Sequence, residues 1–559
     1  MMQSLLTINN LGSQGVNQDV TKVQLGPEVF TDGNNYRLIS GTVETFNGEV
    51  VLGRPDTDID AANLIYVNSF GNSYYILLGL HNILVTDGNN YYDISSLAVS
   101  AYPGLSSGDE FLWTYAKLGN IPVINNPQHF PEYWSPQSTA QRFQALNFKP
   151  AQTWSAANKS CSVIRAHKGF LFALGLSEGG VDMPYSYRWS HPADNNGLPF
   201  TWDETDLSAI AGIASLPGSF GDIVDGLSLR DAFCIYSTKG INILTYVGGE
   251  FIWNVRELTS SYGLLSSDCV VEVNGAHYFI SDGDVLRNDG NSITSILHNR
   301  LRKRISKSIS YAYSSRSFAV SNVADKEIWF CLVEEGYTMP NIAIIYNWAD
   351  DNISFRELLP VVSKLIYAPI LQGLVNNISA PWSSYSTTPW GTEPSTWSST
   401  SEAGVLTLPI VWDNMMLSWE DYTKTWDYSN VSPFSMSLIG TAPATSDIIA
   451  VEYYNPGTDF NTYITKEGFV IGDQRQVKIV TRVYPHMEGT DDVEIHIGSQ
   501  EFIGAPVKWE SPVVFNPKTD RKIDVRSTGK IHAWKINSLG AGAFKLSGMD
   551  IEYTTAGLR

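Results

Sequence analysis

Cysteine is scarce: four residues in 559, at Cys161, Cys234, Cys269 and Cys331. They lie far apart and form no CxxC pair, which argues against a thiolate zinc site. Each has apolar neighbours, as in Phe233-Cys234-Ile235 and Phe330-Cys331-Leu332, and reads as a buried thiol. Long apolar runs are missing too, so no segment approaches a membrane span. Met1 to Asn10 lacks the basic start and apolar core of a signal peptide, so synthesis and folding in a reducing cytoplasm is expected. Charged residues make up only 17%, and the balance is one-sided: 37 Lys plus Arg against 57 Asp plus Glu, net −20. A surface this acidic does not grip nucleic acid through its phosphates. It leaves open a wall past which DNA slides, and solubility alone accounts for the acid equally well.

Motifs for chemistry are also missing. There is no GxSxG elbow, Walker A loop, HExxH or dinucleotide GxGxxG. The nine histidines (His81, His129, His167, His191, His277, His298, His486, His496 and His532) never pair at ligand spacing on one element. Carboxylate pairs such as Glu334-Glu335 and Asp491-Asp492 lie in turn-like contexts that any acidic protein offers. Repeated Ser-x-Asp-x-Gly-x-Thr-Trp boxes of propeller sialidases are absent. The expectation is no enzyme, no metal site and no cofactor.

What the chain has is strands. Runs rich in Val, Ile, Tyr, Phe and Trp alternate with Gly, Asn and Asp turns. Ile65–Asn68 and Tyr74–Leu78 flank Gly71-Asn72; Val163–Ala166 and Phe170–Leu174 flank His167-Lys168-Gly169. Ala232–Tyr236 with Ile241–Tyr246, Val270–Val273 with His277–Ser281, and Ile328–Val333 with Asn341–Trp348 repeat the pattern. Hairpins at such intervals predict an all-β fold with a β-propeller-like core, and stacked β-sandwiches compete with it. Thr-Asp-Gly-Asn-Asn-Tyr occurs at 31–36 and 86–91; without further carboxylates in register it reads as a plain turn, not a calcium loop. Strict alternation in Val493–Ile497 and Ile531–Ile536 predicts a C-terminal β-sandwich-like domain. The expected division is N-terminal strands or an arm over 1–60, a propeller-like core over 61–373, a Trp/Ser/Thr-rich insertion over 374–445 and a C-terminal β domain over 446–559.

Two segments stand out as interaction candidates. The insertion holds Trp382, Trp390, Trp397, Trp412, Trp419 and Trp426 among Ser, Thr and Pro. Six tryptophans argue against free disorder and suit packing on a neighbour, filling of this chain's own core, or stacking on sugar. The second is a helix candidate with Leu297, Leu301, Ile305 and Ile309 every fourth residue. It carries Arg300, Arg302, Lys303 and Arg304, the only dense basic cluster in an acidic chain. A solvated surface helix is the plain reading; an acidic neighbouring subunit or DNA is the sharper one.

The C-terminal fifty residues carry a family likeness. Trp509-Glu510-Ser511-Pro512, Phe515-Asn516-Pro517, Asp520–Arg526, Ile531–Ile536, Phe544–Tyr553 and Gly557-Leu558-Arg559 resemble the C-terminal signature of the nozzle, or tail hub, proteins of short-tailed bacteriophages, the tail tubular protein B-like family. Gly15–Asp19 with Leu25–Arg37, ending in Gly41 and Gly53-Arg54-Pro55, is similar to its opening. Tyr187-Arg188-Trp189-Ser190 with Phe200-Thr201-Trp202, and Tyr262–Ser266 running into the next hairpin, are similar to its centre. The resemblance implies a structural virion protein: a homo-hexameric ring in the tail, below portal and adaptor, holding fibres or spikes and enclosing DNA that passes without specific binding. A tail-associated polysaccharide-binding or depolymerising propeller is the alternative.

Overall fold

The computed structural model describes residues 3–55, 60–69, 71–96, 102, 104–135, 142–193, 197–249, 252–359, 361–371, 374, 436–445, 447–454, 461–489, 492–539 and 544–558. Five consecutive stretches, 63–93, 114–145, 159–215, 223–259 and 270–295, each fold into a four-stranded antiparallel sheet with strands side by side in chain order. Tight turns make this possible. At Asn274-Gly275 both residues have positive φ, 53° and 74°, the geometry whose twist matches the strands it joins. A sixth sheet spans 318–357, and Gly15–Val16 and Val29–Phe30 extend its outer edge in parallel. A seventh holds Lys364–Pro369, Met436–Ala442 and Asp447–Tyr454, with Gly48–Gly53 as its outermost strand.

From the second sheet on, the first strands of successive sheets lie against one another, and the first strand of the seventh returns to that of the first. Between the first two sheets, Asn63 Nδ2 donates to the Trp113 carbonyl at 3.0 Å. The fold is therefore a β-propeller, and among the described residues its blades number seven. Gly48–Gly53 precedes blade 1 in the chain yet completes blade 7, so ladder hydrogen bonds close the circle. Apolar faces fill the spaces between blades: Phe172 of blade 3 stacks on Phe233 of blade 4 with centroids 4.3 Å apart. All four cysteines are buried and free, as their apolar neighbours predict.

Two more sheets form the sandwich. One contains Ile523–Gly529, Gln476–Gly489, Phe544–Leu558, Thr42–Thr45 and Tyr36–Ile39, with Gln3–Asn9 paired along Phe544–Leu558. The other contains Asp32–Asn34, Tyr463–Phe469, Ile531–Ser538 and Val493–Gln500, edged by Lys508–Trp509 and Val513–Phe515. Val483, Ile495, Trp534 and Ile551 are buried in one apolar cluster joining both sheets to blades 4 to 6.

Here the domain division needs correction. Residues 3–45 are strands, as expected, but not a separate arm: they belong to both sandwich sheets and to blade 6. Residues 447–454 belong to blade 7 rather than to the C-terminal domain. The alternation of Ile448–Val451 is the same in a blade as in a sandwich, so the pattern names the strand and not its sheet. The repeated hexapeptide also splits. At 86–91 it is a turn, where Asp87 Oδ1 accepts the Asn89 and Asn90 amides at 2.9 and 3.0 Å. At 31–36 it runs from the strand Asp32–Asn34 into Tyr36–Ile39 of the other sheet, with Asn35 at φ 56°.

Candidate functional site

A propeller gathers its polar inner-strand side chains around the axis, and four charged groups from three blades and an entry loop meet there. Arg165, on the inner strand of blade 3, grips Asp225 of blade 4 with Nε at 2.8 Å and Nη2 at 2.9 Å. Its Nη2 also reaches Asp268 Oδ1 at 2.6 Å, and its Nη1 donates to the Tyr115 carbonyl of blade 2 at 3.0 Å. Lys364 of blade 7 donates to the other Asp268 oxygen at 2.7 Å. Asp268 enters blade 5, and its carbonyl accepts the Ala319 amide of blade 6 at 2.9 Å. One carboxylate thus ties blades 3 and 7 across the axis. Burial pushes the Asp268 carboxyl up, but Lys364 and Arg165 outweigh it and hold it at about 2.

A second layer lies on the connections that enter the blades. Arg316, before blade 6, stacks its guanidinium on Phe111, before blade 2, at 4.0 Å and on Tyr313 at 4.9 Å. Its Nη1 donates to the Thr338 carbonyl at 2.7 Å. Blades 2 and 6 face each other across a seven-membered ring, so this contact spans the axis too. The axis is filled.

A third charge cluster joins sandwich to propeller. Arg37 of the sandwich meets Glu327 at 2.8 Å, Asp325 at 3.2 Å and Glu452 at 3.3 Å. Arg356 of blade 6 meets Glu49 at 3.2 Å and also pairs with Glu452. The Phe46 ring takes both guanidinium groups, at 5.0 and 5.2 Å. Burial pushes the Glu327 carboxyl up to about 7, against the pull of Arg37 and the Trp329 indole.

The basic cluster finds its acid inside the same chain. The four apolar residues are all buried as their spacing predicts, but the helix covers only Arg302–Ser308. Leu301 has non-helical φ −141°, and Asp19 caps the helix there by accepting the Arg302 and Lys303 amides, each at 3.1 Å. Lys303 Nζ donates to the Asp19 carbonyl at 3.1 Å. Arg300 pairs with Asp351 at 2.8 Å and Arg302 with Asp284 at 3.4 Å, while Arg304 lies over the Phe355 ring at 4.5 Å. The cluster clamps residues 17–20 onto blades 5 and 6. Asp19→Ala is therefore expected to cost about 1 kcal/mol of folding stability, read from urea midpoints; an unchanged midpoint would refute the clamp.

Trp382, Trp390, Trp397, Trp412, Trp419 and Trp426 lie outside the described residues. Among the described residues no group of three or more His, Cys, Asp or Glu is placed to hold a metal ion. No helix among them is long and apolar enough to cross a membrane. Sequence reading did not find Arg165, Asp225, Asp268 and Lys364 as a group. The one local signal is a charge inside an apolar strand, as in Val163-Ile164-Arg165-Ala166.

No family model and no curated protein matches the chain. Among solved structures it overlaps YCF48 bound to D1 peptide, with TM-score 0.31 and 11% identity, over 60% of this chain and 90% of that one. It overlaps apo AztD from Citrobacter koseri with TM-score 0.30 and 11% identity, over 63% and 81%. It overlaps PorZ, a surface component of the type-IX secretion system of Porphyromonas gingivalis, with TM-score 0.35 and 9% identity, over 88% and 62%. Overlaps this loose carry no argument about function.

Proposed function

We propose that this chain is a structural subunit of the tail of a short-tailed bacteriophage. Six copies would form the nozzle ring below portal and adaptor, enclose the DNA exit path and hold fibres or spikes. The observation that supports this reading is the ion-pair network that bridges the propeller axis. A depolymerising propeller needs an acid with a proton to give beside a second carboxylate. Asp225 and Asp268 share Arg165 instead, and Asp268 is held ionised at about 2. The propeller is then a solid building block, and any path for a duplex runs between copies rather than through one. Net charge −20 suits such a path, because a cationic wall would bind phosphates and retard the duplex.

One observation favours the alternative of polysaccharide binding. Tyr262, Tyr311, Tyr313 and Tyr337 are exposed by 39%, 57%, 36% and 50%, and exposed aromatic faces suit sugar stacking. The readings separate cleanly. Images of intact virions are expected to show the protein as a six-fold ring at the tail, with no reducing ends released from host capsule or lipopolysaccharide. Isolated protein is expected to show no salt-sensitive duplex binding. A copy that is monomeric within virions would overturn the ring, and sugar release would favour the alternative.

A further inference from the structure

A cleft of about 640 Å3 opens between the two sandwich sheets. Ser499, Lys508 and Glu510 line it from Val493–Gln500 and the chain that edges that strand. Arg526 and Thr528 line it from Ile523–Gly529, the edge strand of the other sheet. The turn after Val493–Gln500 adds Glu501, Phe502, Ala505 and Pro506. Both walls are held by their own chain. Gln500 is buried; its Nε2 donates to the Ala505 carbonyl at 2.6 Å and its Oε1 accepts the Gly468 amide at 3.1 Å, which pins the turn. Gly504 supplies a positive φ of 84° within it. Across the cleft, Gly529 brings the edge strand so near that an added Cβ would meet the Ser499 Cβ at 2.7 Å. Walls already in place leave little to be ordered when a ligand enters.

The charges on these walls are balanced in a chain of net charge −20. Two are cations, Lys508 and Arg526, and two are carboxylates, Glu501 and Glu510. Among the described residues none of the four side chains forms a hydrogen bond or an ion pair. Close by, at the start of the same edge strand, Asp524 takes both Arg482 at 2.8 Å and Lys522 at 3.2 Å. Charges near this edge therefore pair where they can reach, and the four in the cleft are left for something else.

Their balance selects the ligand. A molecule of one strong charge sign would meet two like charges. An apolar one would take water from all four and return no hydrogen bond. A hydroxyl both donates and accepts, so a polyol satisfies carboxylates and cations together, through the stronger, charge-assisted kind of hydrogen bond. Phe502 is 63% exposed, and its ring offers an apolar face to the C–H face of a pyranose. The volume lies within the span of small-molecule sites, about 300–1,000 Å3. We infer that the sandwich cleft binds a neutral sugar residue of a glycan. Glu501 and Glu510 accept from its hydroxyls, Lys508 and Arg526 donate to them, and Phe502 lies against its ring. No bond is cleaved. The inference goes beyond the tail reading and does not depend on it, and its site lies on the sandwich, whereas the exposed Tyr262 and Tyr311 lie on propeller connections.

Full-length protein is titrated with galactose, glucose, mannose, N-acetylglucosamine and short neutral oligomers of each, by saturation-transfer NMR and calorimetry. At least one of these sugars is expected to bind saturably. Phe502→Ala and Arg526→Met, both at exposed positions, are each expected to weaken it tenfold or more with an unchanged melting temperature. Tyr262→Ala is expected to leave it unchanged. No saturable binding of any of these sugars overturns the inference, and a six-fold ring of such protein in virions would keep the tail reading while the cleft is lost. Binding that neither cleft variant weakens overturns it too; if Tyr262→Ala abolishes that binding, the sugar sits on the propeller and the polysaccharide alternative survives without the cleft. Glycylglycine, a zwitterion, is the competing probe. If it binds more tightly than every neutral sugar and both cleft variants weaken it, the cleft takes peptide termini and the sugar assignment falls.

Discussion

Asp268→Asn is expected to lower folding stability by about 3–5 kcal/mol, the usual cost of removing one partner from a buried ion pair. Asp268 is the one anion shared by Arg165 and Lys364, at 2.6 and 2.7 Å. The asparagine keeps the shape and removes the charge. Arg165 retains Asp225, but Lys364 is left largely buried with Phe318 beneath it and no carboxylate. Lys364→Met should cost less, because Asp268 keeps Arg165 and the methionine fills the same space. Urea unfolding of both variants checks the order. A loss below about 1 kcal/mol for Asp268→Asn would mean that water in the axis already screens these charges, and the axis would then be open rather than filled.

Strand positions were legible because they depend on local alternation and turn chemistry. Ile65–Asn68, Ala232–Tyr236 and Val270–Val273 fall inside observed strands, and positive φ is met by Gly71 in the turn after the first and by Asn274-Gly275 after the third. The apolar stripe Leu297/Leu301/Ile305/Ile309 was legible as burial but not as helix length, because Asp19, far away in the chain, sets where the helix starts. Sheet membership was not legible. Gln3–Asn9 pairs with residues 548–554, and Gly48–Gly53 closes a blade with residues 448–454. Such pairings depend on ring closure, and nothing local records them. Blade number hid behind the same limit, since blade 7 is split by the 374–435 stretch and finished by an N-terminal strand. The axial site was illegible for a related reason: Arg165, Asp225, Asp268 and Lys364 are neighbours only because seven blades converge.

Acidification from pH 6.5 to 4 is expected to destabilise the fold by up to about 2.8 kcal/mol per pH unit, two net protons at about 1.4 kcal/mol each. Burial lowers His167, His277 and His532 from 6.5 to about 4, with nearby Lys168 and Lys478 adding to the effect at His167 and His532. A histidine depressed in the folded state leaves the unfolded chain binding more protons between those values. Stability from these three is therefore complete above 6.5 and lost as pH falls towards 4. Glu327 acts in the opposite direction. Its carboxyl is raised from 4.5 to about 7, so the folded state binds the extra proton, and its contribution is complete below 4.5 and lost as pH rises to 7. Among these four groups three protons outweigh one; burial also raises Glu49 and Asp284, which act with Glu327, and lowers His191, which acts with the other histidines, and the expected net slope is loss on acidification. Below about 4 the loss continues through Asp268, whose depressed carboxyl contributes above 3.8 and fails as pH approaches 2. Glu327→Gln separates the terms. It mimics the protonated acid at every pH, so the variant should fall more steeply than the parent between 7 and 4.5, by about 1.4 kcal/mol per pH unit. Urea midpoints at pH 7, 6, 5 and 4 for both proteins decide it. A parent whose stability is flat or rises over that range would show that the histidines are solvated, and parallel slopes would remove Glu327 from the titration.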